Sequence, residues 1–140
     1  MLKPQLLKLF ALACFFLSLP LGPAALADGK HDHSVTVCSA QNSALCAHLG
    51  LHQVLNSTSE GRFIAHFMTP DEAAVSNLQV ILWMPDMGHG SSPVVVHEIR
   101  KNFFEVTEAW FIMPGTWLVK MSFEYAGAKH QIDIPLDIAE

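Results

Sequence analysis

The chain has 140 residues, 51% of them hydrophobic and only 15% charged, which leaves room for one domain and excludes the high-charge, low-apolar signature of disorder. Thirteen acidic against eight basic side chains give a net charge of −5, the wrong sign for a nucleic-acid binder or a polybasic membrane-surface protein. Eight His and six Met beside a single Tyr are unusual, and imidazole and thioether are metal-ligand chemistry.

Lys3 and Lys8 precede an apolar run, Leu9 to Leu19, that Pro20, Gly22 and Pro23 interrupt and Ala25-Leu26-Ala27 closes. This is the pattern of a secretory signal peptide, residues 1–27, cleaved after Ala27. The setting of Cys14 inside the apolar run is a poor lipidation signal. The mature chain would then start at Asp28 with 140 − 27 = 113 residues, and losing Lys3 and Lys8 takes the net charge to −7. That export places the protein in the periplasm or outside the cell. Two cysteines remain, Cys38 and Cys46, and in an oxidising compartment an even pair predicts a disulfide. A thiolate metal site of Cys38, Cys46 and His48 is the alternative.

Residues 28–61 read as an N-terminal segment and 62–140 as a β domain. The polar stretch DGKHDH, residues 28–33, carries His31 and His33. Ser34 to Cys38 is β-prone, and Asn42 or Ser43 can cap a short helix through Leu55 that would set His48 and His52 on one face. From Arg62 to Thr69 the residues alternate, with Phe63, Ala65 and Phe67 on one side and His66 on the other. Leu78 to Met84 is nearly continuous in apolar residues, as a central strand is. Pro93 to Ile99 and Asn102 to Ile112 follow. Thr116 to Tyr125 alternates cleanly, directing Trp117, Val119, Met121, Phe123 and Tyr125 inward. Lys129 to Ile138 places His130, Ile132, Ile134 and Leu136 together. So many short strands in about a hundred residues predict an all-β, immunoglobulin-like antiparallel β-sandwich with a short N-terminal helical segment.

If consecutive strands alternate in direction, the loop after Met84 and the Met113-Pro114-Gly115 corner share one end of the sandwich. Met84, Met87 and His89 lie within six residues, and Gly88 and Gly90 allow the backbone to turn tightly enough to gather them. Two thioethers and an imidazole form a soft, uncharged donor set suited to Cu(I), with Met113 as a fourth ligand. Packing of the two Met side chains into the core end is the competing account. By the same count of strand directions His97 falls away from that end. Trp83 and Met121 read as core residues, His66 as a half-buried strand residue, and Asn56-Ser57-Thr58 as a glycosylation sequon.

The loop Met84-Pro85-Asp86-Met87-Gly88-His89-Gly90, joined to Met113-Pro114-Gly115-Thr116-Trp117, resembles the YtkA-like family of small exported bacterial domains over roughly residues 62–138. The resemblance implies an immunoglobulin-like sandwich and extracytoplasmic copper handling. Such domains are also similar to FixH, associated with cytochrome oxidase maturation, whose retained anchor this chain would lack once the signal segment is cleaved. A membrane-bound copper or oxidase-assembly partner is what that implies. The H-x10-M-x21-H-x-M pattern of another copper-chaperone family is absent. Neither G-x-S-x-G nor H-E-x-x-H occurs and the carboxylates are scattered, so the expectation is a non-enzymatic copper-binding protein. Its rival is a metal-free interaction module that packs on a membrane-complex partner.

Overall fold

The computed structural model describes residues 34–140. The signal segment 1–27 and the tail histidines His31 and His33 lie outside the described residues. Among the described residues the chain is all-β: β1 (Val35–Cys38), β2 (Cys46–Leu51), β3 (Gly61–Met68), β4 (Ser76–Met84), β5 (His89–Gly90), β6 (Val95–Arg100), β7 (Phe103–Ala109), β8 (Gly115–Tyr125) and β9 (Ala128–Ile138). They form two antiparallel sheets, a five-stranded one in the order β1-β2-β3-β7-β6 and a four-stranded one in the order β5-β4-β8-β9.

The expected helix between Asn42 and Leu55 is not formed. A turn spans 42–45, where the Asn42 side chain accepts from the Ala44 amide, and residues 46–51 are strand β2. The local signal was a capping residue, but Ala47 and Leu49 alternate inward with period two, and both flanks of β2 find ladder partners in β1 and β3. The five-stranded sheet thus begins at Val35, inside the segment read as lying ahead of the β domain.

The two layers meet over one apolar core. Phe67 of β3 meets Phe123 of β8 at 4.6 Å, and Phe111 meets Trp117 edge-on at 5.5 Å. The alternation predicted for residues 116–125 holds: Trp117, Val119, Met121, Phe123 and Tyr125 are buried. Pro135 is tolerated within β9 because β9 is an edge strand, where one row of amides has no ladder partner to satisfy. Trp83 is not a core residue. It points to the outer face of the four-stranded sheet, with the Lys120 ammonium 6.0 Å from its ring, and the core tryptophan is Trp117.

The Cys38–Cys46 disulfide is present, with Cα atoms 3.8 Å apart. It joins β1 to β2 at directly opposed positions, rather than joining a strand to a helix.

Candidate metal centre

Strand β4 ends at Met84 because Pro85 has no amide to continue the ladder. The next three residues turn back: the Met87 and Gly88 amides both donate to the Met84 carbonyl, at 3.3 and 3.0 Å. Gly88 takes φ +65°, a left-handed conformation open to glycine at no steric cost. The chain then re-enters the sheet as β5, with His89 directly opposite Met84. Directly opposed residues of an antiparallel pair project to the same face. The hairpin therefore sets the Met84 thioether and the His89 imidazole side by side on the inner face.

Strand β8 brings the third element. It runs antiparallel to β4, so its first residues lie beside the end of β4. Gly115 has φ +127°, and a methyl group added to it would come within 2.9 Å of Met84 Cε. The missing side chain of Gly115 is the space that Met84 occupies. Met113, two residues earlier, is half-buried against the core, and its carbonyl accepts a hydrogen bond from Trp117 Nε1 at 2.9 Å. The His89 ring stands edge-on to Trp117, centroids 6.2 Å apart. Trp117 thus meets the His89 ring edge-on and ties the Met113 backbone to the core. The Ser91 hydroxyl bonds the Trp110 carbonyl and ties the two loops together. Both Met-bearing loops share one end, as expected, although β5 is a further strand between them.

The four predicted donors are not equivalent. Met84 is only 7% exposed and belongs to the core, as the packing account expected of it. Met87 sits on the turn and is 59% exposed. His89 and Met113 are intermediate. The His89 Nδ1 lies 3.4 Å from the Gly90 carbonyl; a proton held there leaves Nε2 with its lone pair, the usual arrangement of a ligating histidine. The corner sets Met84 and His89 on one inner face, with Met113 half-buried against the core beside them in the chain leading into β8 and Met87 on the solvent side. Sequence reasoning missed the parts played by Gly115 and Trp117, although the M-P-G-x-W spacing contained both.

Elsewhere the expectations divide. His48 and His52 do not share a helical face: His48 is in β2, and His52 lies beyond its end. His97 stands away from the corner, opposite Glu105 on the outer face of the five-stranded sheet. Asn56 Oδ1 accepts from the amides of Thr58 and Ser59 at 3.0 and 2.9 Å, so the sequon asparagine organises its own turn. Among the described residues no cluster of three or more His, Cys, Asp or Glu exists that would suit a harder ion. Comparisons with protein families, curated proteins and solved structures find no match to this chain.

Proposed function

We propose that the protein is an extracytoplasmic copper-binding domain that holds Cu(I) through Met84, Met87, His89 and Met113 and exchanges it with a membrane-bound copper or oxidase-assembly partner. The observation that carries this reading is the opposition of Met84 and His89 across the β4–β5 hairpin, with the start of β8 packed on the Met84 methyl. Thioether and neutral imidazole favour Cu(I) over harder divalent ions. Met87, exposed on the turn, is the donor a partner reaches first, and Met84, His89 and Met113 are the inner set. An immunoglobulin-like sandwich, with the binding loops gathered at one end, is the fold we assign, and the two antiparallel sheets support it. The signal-like segment 1–27 and the Cys38–Cys46 disulfide support export to an oxidising compartment.

The test is a Cu(I) competition titration against a chromophoric chelator under a mild reductant. The Met84→Leu/Met87→Leu double variant should lose at least about tenfold in affinity, because two of the soft donors are gone. Affinity equal to the parent's refutes the site.

A second reading has its own observation. Trp110 and Ile112, 43% and 54% exposed, flank the same corner as Met87. An apolar rim of that kind suits a metal-free module that docks on a membrane complex. Binding of the partner at full strength with copper chelated, and by the double variant, would favour it.

A further inference from the structure

The outer face of the five-stranded sheet carries one row of side chains that crosses every strand. Thr36 of β1 opposes His48 of β2, His48 opposes His66 of β3, His66 opposes Phe103 of β7, and Phe103 opposes Arg100 of β6. The members of the row are fixed to one another. The Thr36 hydroxyl is 2.8 Å from His48 Nδ1. The His66 ring stacks on Phe103 with centroids 3.8 Å apart and planes 12° from parallel. The Arg100 guanidinium lies 3.8 Å from the centroid of the same Phe103 ring. Two groups cannot both stack that closely on one side of a benzene ring, so Phe103 is held between them.

We propose that His48 and His66 form a second metal site, for a borderline divalent cation, on this outer face. Directly opposed Cβ atoms in an antiparallel pair are about 4.5–5.5 Å apart. Two Zn–N bonds of about 2.0–2.1 Å at a tetrahedral angle need their nitrogens about 3.4 Å apart, which two such imidazoles can provide. Binding at Nε2 of His48 selects the tautomer in which Nδ1–H donates to the Thr36 hydroxyl oxygen, 2.8 Å away. That is the outer partner a ligating imidazole commonly has, orienting the ring and setting its tautomer. Stacking on Phe103 does the same for the plane of His66. Nitrogen donors suit Zn(II), Ni(II) and Cu(II), with Cu(II) held most tightly. This site has no thioether in its row and stands apart from the Cu(I) reading above.

The test is a Zn(II) titration of the purified protein carrying His31→Gln and His33→Gln, so that tail imidazoles do not compete, followed through the imidazole nitrogens by NMR. The His48 and His66 resonances should shift together at one metal ratio, with those of His97 and His130 unmoved. In His48→Gln the His66 shift should vanish, and Thr36→Val should weaken binding about tenfold by removing the orienting partner. Met84→Leu/Met87→Leu should leave this titration as it was, so each site can fail alone. An unshifted His66 in the parent, or a His66 shift that survives His48→Gln, overturns the proposal. The parent measurement needs no substitution in the row and stands even if a variant fails to fold.

Discussion

The two ends of the β structure are built by different means. At the end opposite the Met–His corner, the β6–β7 turn is locked by Asn102, which is buried and has φ +66°. Its side chain donates to the Ala73 carbonyl at 3.0 Å and accepts from the Val75 amide at 2.9 Å, and its own carbonyl accepts from the Phe67 amide at 2.8 Å. The Tyr125 hydroxyl donates to Asp71 at 2.8 Å, and the disulfide clamps β1 to β2 opposite the last residue of β3. The Met–His corner has fewer side-chain bonds, from the Trp117 indole to the Met113 carbonyl and from the Ser91 hydroxyl to the Trp110 carbonyl, and rests otherwise on apolar packing about Trp117 and a glycine turn. Directional bonds hold one geometry, whereas thioethers and small residues allow adjustment. The fold places its rigidity at one end and its soft donors at the other.

The largest test of this contrast is Asn102→Ala. It strands the Val75 amide and the Ala73 carbonyl and puts a side chain with a Cβ, but no local hydrogen bond, at positive φ, so urea denaturation should show a loss of about 3 kcal/mol. A loss no greater than that of Met84→Leu would break the comparison. Removing the bridge, as Cys38→Ala/Cys46→Ala, releases a loop of eight residues' separation and should cost about 2.5 kcal/mol by the same measurement. At the Met–His corner Gly115→Ala should cost about 1–3 kcal/mol, since the new methyl meets both a strained backbone and Met84 Cε; Cu(I) affinity should fall with it. Met84→Leu conserves volume and should cost less than about 1.5 kcal/mol while weakening Cu(I).

The smallest effect is a pH dependence. The Asp71 carboxyl is held below its ordinary value, first by the Tyr125 hydroxyl and then by the Ala73 amide. A folded pKa below the unfolded one means that the contribution is present above the unfolded carboxyl value and is lost as pH falls through the folded one. Carbon-detected NMR should find the Asp71 carboxyl raised towards the ordinary range in Tyr125→Phe, with a flatter stability profile on the acid side. An unmoved Asp71 would show that the Tyr125 hydroxyl does not set it.

The sequence by itself determined the strands whose alternation is long, such as Thr116 to Tyr125, and the pairing of two cysteines in an exported-type chain. Period-two burial is a local property: each residue's face follows from its neighbours once one face is dry. It also placed both Met loops at one end, a count of directions that holds only with the two-residue β5 taken as part of the loop after Met84. Only the tertiary structure decided that residues 46–51 are strand, for there the ladder partners in β1 and β3 outweigh a local cap. Only the register, which joins residues far apart in the chain, set His48 against His66 and His89 against Met84. On a strand His48 and His52 would stand about 13 Å apart, since each residue advances roughly 3.3 Å. Nor does any local pattern reveal that Gly115 is bare so that Met84 can fill the space above it. That contact exists because β4 and β8 lie side by side, and a side chain's neighbours across a sheet are chosen by the pairing and not by the sequence around it.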